Sequence, residues 1–160
     1  MHDVRVSDEL RKLLGSDKVV TDEQHLLTYA SDMIPEGQLR KLADQLPPRK
    51  PLAICFAEDV EDIRRVVRFC AQERVPVIPW GAGSGVCGSS VPVEDSIALD
   101  VKRMNRITSL VPDECRVTVQ PGLIGEELEE RLNAQGMTMG HFPSSIACST
   151  VGGYVACRSA

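Results

Sequence analysis

The sequence predicts an α+β fold, a small parallel βαβ unit followed by a second, β-rich α/β unit, and three observations carry that prediction. An apolar run, LAICF at 52–56, precedes an amphipathic segment at 58–73 and a second apolar run, VPVIP at 75–79. Strand, helix and strand within roughly 30 residues make a parallel pair with a right-handed crossover. Four glycines, Gly81, Gly83, Gly85 and Gly88, then follow in quick succession. Beyond them come three short β-rich segments, 96–101, 106–111 and 116–122, and a helix over 125–135.

A chain of 160 residues with 42% apolar content can bury a core in one domain but is too short for two large ones. Eighteen Lys and Arg against 23 Asp and Glu give a net charge of −5, which excludes the broad basic face that nucleic acid needs. The N-terminus, MHDVRVSDELRKLL, is charged throughout and lacks the apolar stretch of a secretion signal. No apolar run approaches the roughly 18 residues of a membrane span. The expectation is therefore a cytoplasmic protein without a transmembrane segment. Its six cysteines (Cys55, Cys70, Cys87, Cys115, Cys148, Cys157) form no C-x-x-C, and no histidine stands at zinc spacing. They read as reduced, packed thiols, and no metal is expected.

Residues 1–50 read as a helical segment and linker ahead of a main domain over 51–160. Ser7 is placed to cap a helix through Leu14, with Asp8 and Glu9 in its first turn and Gly15 just past its end. Thr21 and Gln24 have capping-box spacing for a second helix ending near Ala30. From 31 to 50 periodicity is poor and Pro35, Pro47 and Pro48 interrupt it, which predicts a connection. In the 58–73 helix, Val60, Ile63, Val67 and Cys70 recur at helical spacing, and its acids precede its arginines as the helix dipole favours. The 125–135 helix carries Leu128 and Leu132 on one side and is closed by Gly136. MTMGHF, 137–142, is a candidate strand.

The glycine cluster admits several readings. Gly83, Gly85 and Gly88 spell G-x-G-x-x-G after a strand, with Asp100 ending the next one, as in a dinucleotide fold of the Rossmann kind. That fold needs a helix directly after the glycines. The few residues at 89–96, Pro92 among them, are too short for a crossover helix. A P-loop fails because Ser89 stands where its lysine would be. A merely flexible connector would have polar flanks, whereas Pro79 and Trp80 fix the approach here. The remaining reading is an amide nest: Gly81, Ala82, Gly83, Ser84 and Gly85 allow positive φ and close approach, so successive N–H groups can converge on a pyrophosphate.

Three stretches, PWGAGSGVCGSSVP (79–92), VTVQPGLIGEELEERLNAQG (117–136) and FPSSIACSTVGGYVA (142–156), resemble in order and spacing the FAD-binding domain of the vanillyl-alcohol oxidase/PCMH flavoproteins. Within that family they are most similar to the branch that holds D-lactate dehydrogenase, alkyldihydroxyacetonephosphate synthase and a glycolate oxidase subunit. The YASD at 29–32 resembles the segment preceding the domain in this branch. The resemblance implies two small α/β parts with FAD between them. It puts the pyrophosphate on Pro79, Trp80, Gly81, Ala82, Gly83, Ser84, Gly85, Gly88 and Ser89, and the adenine and ribose side on Pro121 and Gly122. Pro143, Ser144, Ser145, Thr150, Gly152, Gly153 and Val155 would run along the ribityl chain toward the flavin ring. Relatives that bind FAD covalently carry a histidine where Ser84 stands, so a non-covalent cofactor is implied. Cys148, near a position that bears a flavin-bonded cysteine in doubly linked relatives, reads instead as a packed thiol.

The expected function is the FAD-binding segment of a flavin-dependent oxidoreductase of 2-hydroxy acids or similar small alcohols, in which FAD accepts a hydride. Family members are much longer, so the resemblance implies a truncated domain whose substrate cap and proton-handling residues lie beyond Ala160 and which is inactive alone. His2 and His25 read as surface residues, and His141, before the 142–145 turn, as a structural imidazole. A second reading is a non-catalytic, truncated or split nucleotide-binding module that needs a complementary chain. An exposed sheet edge would pair with that chain or with a second copy.

Overall fold

Strand β2 (Ala53–Phe56) is apolar along its length, as a strand covered on both faces must be, and it lies inside a four-stranded sheet. The computed structural model describes residues 2–159. Its main sheet runs β1 (Val19–Val20), β2, β4 (Ile97–Asp100), β3 (Val77–Trp80). Strand β1 is antiparallel to β2, whereas β2 and β3 are each parallel to β4. The two apolar runs of the βαβ unit are thus parallel, as expected, but β4 is threaded between them. The alternation of β2 and β4 separates two cores. Ala53, Cys55, Ile97 and Leu99 face Val6, Leu10 and Leu14 of helix α1 (His2–Leu14) and Val66 and Cys70 of helix α4 (Val60–Glu73). Ile54 and Ala98 face the other way, toward Trp80 and toward Leu26 and Tyr29 at helix α2 (Glu23–Thr28).

Local chemistry fixes the helix ends. Asp59 caps α4 by accepting the Asp62 N–H at 2.8 Å. Asp62 is itself buried, and its carboxylate accepts from Lys18 Nζ at 2.8 Å and from the Glu58 N–H at 3.1 Å. Burial resists the charge on Asp62, yet the Lys18 hydrogen bond and the Glu58 amide hold its carboxyl below the ordinary value of 3.8. This pair ties the 3-10 turn at Ser16–Lys18 to the start of α4.

A second unit packs antiparallel strands β5 (Ile107–Val111) and β6 (Arg116–Val119) against helices α5 (Gly125–Asn133) and α6 (Val151–Cys157). Leu123, Leu128, Leu132, Val151 and Tyr154 form its core. Burying each leucine contributes roughly 2 kcal/mol.

Several expectations are corrected. Ser7 lies inside α1, where its hydroxyl donates to the Val4 carbonyl at 3.0 Å, because the helix already begins at His2. Asp22, not Thr21, caps α2 through the His25 N–H, since Thr21 accepts from Arg11 instead. The 31–50 connection contains helix α3 (Pro35–Leu42), whose Pro35 sits at the first turn, where its missing N–H costs nothing. The 137–142 stretch is not a strand: buried Glu129 accepts from the Met139 N–H at 3.0 Å and from the Thr138 hydroxyl, removing the bonds a sheet would use. Residues 151–157, which carry no helix signal in the sequence, are helical, and Thr150 caps them by accepting the Gly153 N–H at 3.2 Å.

Gly122 packs so tightly that a Cβ there would collide with the Val101 carbonyl. Gly122→Ala should lower unfolding free energy by about 3 kcal/mol in urea denaturation. Gly136→Ala, open in space but at φ +70°, should cost only about 1 kcal/mol. Because the Asp62 pKa is depressed, its contribution is present above pH 3.8 and is lost as pH falls through its lower folded value. Acid titration followed by circular dichroism should show that loss, and Lys18→Met should flatten it while costing about 2 kcal/mol at neutral pH.

Candidate functional site

The glycine loop leaves the sheet at the carboxyl end of β3, beside the ends of β2 and β4, which is where parallel sheets open a crevice for ligands. Residues 81–96 contain no helix, so the spacing that argued against a dinucleotide fold corresponds to real loop. Gly83 and Gly88 take φ of +69° and +76°, the left-handed region that only glycine adopts without strain. A Cβ on Gly83 would lie 2.6 Å from the Trp80 ring, which is buried beneath the loop against Tyr29 rather than facing outward. Among the described residues, no amide from 81 to 90 donates a hydrogen bond to the protein. A run of unbonded N–H groups of this kind is suited to an anion.

Groups from outside the loop hold it in place, and sequence reasoning missed them. Asp100, the last residue of β4, is fully buried. Its carboxylate accepts from the Tyr29 hydroxyl, from Lys102 Nζ and, at 2.7 Å, from the Lys102 N–H. Burial first, and then the Asp100 carboxylate, push the Tyr29 phenol far above its usual value, so it stays protonated and donating. Lys102 Nζ also donates to the Gly81 carbonyl at 2.9 Å. At the loop's other side the Met33 N–H donates to the Gly85 carbonyl at 2.8 Å. Asp32, also buried, accepts from the Ile34 N–H with Oδ1, while Oδ2 packs against Gly85 and has no hydrogen-bond partner among the described residues. The only sequence signals for these groups were the YASD stretch and an acid at a strand end.

The second group of expected residues converges on the start of α6. The Gly152 N–H donates to the Pro121 carbonyl at 2.8 Å and the Val151 N–H to the Leu123 carbonyl at 2.8 Å. A Cβ on Gly152 would stand 2.6 Å from the Pro121 side chain, and one on Gly81 would run into the Thr150 hydroxyl. Gly81, Thr150, Gly152 and Pro121 are therefore brought together, with Gly122 and Gly153 beside them. Pro143 is buried, and the Ser145 hydroxyl donates to Ser149 Oγ at 3.2 Å. Pro79, Ser89, Ser144 and Val155 are exposed, Val155 by 67%.

Other candidates separate from this cluster. His141 lies 5.5 Å from the Tyr154 ring, between centroids. Asp100 is consumed by the buried cluster and does not face a ribose. Only Cys55 and Cys70 are packed thiols, raised by burial to about 12 and about 11; Cys87, Cys115, Cys148 and Cys157 are exposed, so the packed reading of Cys148 is corrected. Cys87 lies in the glycine loop, Cys115 in the turn between β5 and β6, Cys148 in a short 3-10 turn and Cys157 in the last turn of α6, each outside the apolar cores. Among the described residues no three His, Cys, Asp or Glu are grouped to hold a metal ion, and no helix is long and apolar enough to cross a membrane. A cavity of about 740 Å³ lies between α2, α3 and residues 87–93, beyond the far half of the loop.

Comparison with known proteins gives a consistent picture. A family model described as FAD binding domain matches residues 51–159. Glycolate oxidase subunit GlcD of Bacillus subtilis (strain 168) is 28% identical over 94% of this chain and 30% of its own length. The FAD-linked oxidoreductase YgcU of Escherichia coli (strain K12) is 32% identical over 96% of the chain and 32% of its own length. Among solved structures, an alkyldihydroxyacetonephosphate synthase superposes with a TM-score of 0.90 at 28% identity, over 98% of this chain and 30% of that one. p-Cresol methylhydroxylase with substrate bound superposes at 0.82 and 25% identity, over 99% and 30%. The chain spans less than a third of the length of these relatives.

Gly83→Ala should strain the loop and press on Trp80, the sole tryptophan. A shifted emission maximum and a loss of about 2 kcal/mol are expected, read by fluorescence-detected unfolding.

Proposed function

The chain belongs to the FAD binding domain family, and from that premise we propose that residues 79–89 cradle the diphosphate of FAD, within a flavin-dependent oxidoreductase acting on a 2-hydroxy acid or a similar small alcohol. The observation that carries this reading is the run of unbonded amides from 81 to 90 at the carboxyl edge of the parallel strands. The residues fit the group: Gly81 and Gly83 let the loop close onto Thr150 and Trp80 where a Cβ would not fit, which leaves its neutral amides free, and these suit an anion in a chain that is acidic overall.

Pro121 and Gly122 line the adenine and ribose side in this proposal, and Gly152 and Gly153 present backbone toward the ribityl chain. The Thr150 hydroxyl accepts the Gly153 N–H and keeps its own hydrogen to donate. Ser144 and Ser145 add hydroxyls, and Pro143 and Val155 supply apolar walls. When bound, FAD supplies the ring that accepts a hydride from the alcohol carbon. Ser84 stands in the loop where a histidine would be needed for covalent attachment, so the cofactor is held non-covalently.

A second reading, a module without catalysis of its own that works against a complementary chain, is favoured by exposed apolar side chains on both units. Val86 lies within the glycine loop and Val93 follows it, and Phe142 precedes α6 while Val155 lies on it.

Titration of the chain with FAD should give saturable quenching of flavin fluorescence at one equivalent, and acid denaturation should release all the flavin. Absence of saturable binding would overturn the FAD reading, and flavin remaining on denatured protein would overturn the non-covalent one.

A further inference from the structure

The loop lacks a lysine of its own, since Ser89 stands where a P-loop would place one, yet a lysine from elsewhere reaches it. Lys102, two residues past β4, sends Nζ under the loop to the Gly81 carbonyl at 2.9 Å. That ammonium is not a loose surface charge. It is paired with the fully buried Asp100 carboxylate, lies 3.3 Å from the Tyr29 hydroxyl and stands 5.2 Å from the centre of the Tyr29 ring.

The peptide bond converts this anchor into an orientation. No cis peptide occurs among the described residues, so C=O and N–H of each peptide point in opposite directions. A Gly81 carbonyl drawn inward to Lys102 therefore turns the Ala82 N–H outward, away from the protein. The Gly85 carbonyl, drawn to the Met33 N–H, turns the Val86 N–H away in the same manner. Because Asp100 neutralises Lys102, little net positive charge reaches a ligand. The effect of the lysine is on the direction of the loop's amides.

We propose that Lys102 is a positioning residue for the diphosphate loop: anchored by Asp100 and Tyr29, it grips the Gly81 carbonyl and so presets the Ala82 amide for the anion. This rests on the FAD reading above for the identity of the anion, but the preset peptide itself exists without any ligand.

Two variants test it. Lys102→Met removes the grip, and Asp100→Asn/Lys102→Met removes it without leaving a buried carboxylate unpaired, so it serves where the single variant folds poorly. In nucleotide-free protein, the 15N-amide resonance of Ala82, whose nitrogen belongs to the same peptide as the Gly81 carbonyl, should shift while the α5 amides stay in place. Affinity for both FAD and ADP should fall about tenfold, the loss of one hydrogen bond to a charged group. ADP is included because it carries the diphosphate without the flavin. An unmoved Ala82 resonance overturns the proposal whatever happens to binding. A shifted resonance with unchanged FAD and ADP affinity overturns the positioning role and leaves the FAD reading standing. Wild-type protein that binds neither nucleotide overturns both readings, and Ala82 then reports only on the peptide.

Discussion

The buried carboxylate of Asp100 is the constraint on which the arrangement turns. A charge with no access to water is tolerated only where cations and donors surround it, and the fold brings three donor groups from two residues. Tyr29 comes from the end of α2, Lys102 from the turn after β4, and the Lys102 amide closes the ring. Meeting the needs of that one group fixes how the N-terminal segment crosses the sheet. It also fixes where the polypeptide turns toward the second unit and how the glycine loop begins. A position that looks on paper like the acid of a nucleotide fold thus acts as an internal fastener.

The two units meet along a seam of absent side chains. Gly81 abuts Thr150, Gly122 abuts Val101, and Gly152 abuts Pro121. The first two contacts join the end of a strand in one unit to a turn or helix start in the other, the third locks α6 onto the turn after β6 within the second unit, and each is closer than any Cβ would allow. The glycines outside the loop are therefore as much about fitting two pieces together as about meeting a ligand. The same seam brings the loop near the N-terminus of α6, so the residues proposed for the diphosphate and for the ribityl chain lie on adjoining surfaces.

How much of this was legible depended on whether the signal was local. The helix at 58–73 could be read because its acidic start and Asp59 lie within one element, and the loop because its glycines are close together. The buried face of that helix runs through Ile63, Val66, Phe69 and Cys70 and leaves Val60 and Val67 of the expected stripe exposed. The insertion of β4 between β2 and β3 could not be read, since a buried strand's sequence does not name its neighbours. Thr21 was a reasonable cap by spacing, but Arg11 claimed its hydroxyl and Asp22 took the place. Strand β1 is two residues long and exists only because β2 offers it a free edge. The Tyr29, Asp100 and Lys102 cluster joins residues 73 apart in sequence, and no periodicity marks such a meeting.

Pro79 has an effect on assembly that follows from strand direction alone. The carbonyls of Pro76 and Trp80 accept from Ile97 and Val101 of the neighbouring strand. Alternation along β3 then turns the Pro79 nitrogen toward the sheet's outer margin, where it has no hydrogen to offer. The opposite margin is the two-residue β1. A sheet with one margin interrupted by an imino acid and the other cut short resists lateral growth into fibrils. Association with another polypeptide is steered instead to side-chain surfaces, whose shape and chemistry can discriminate between one companion and another.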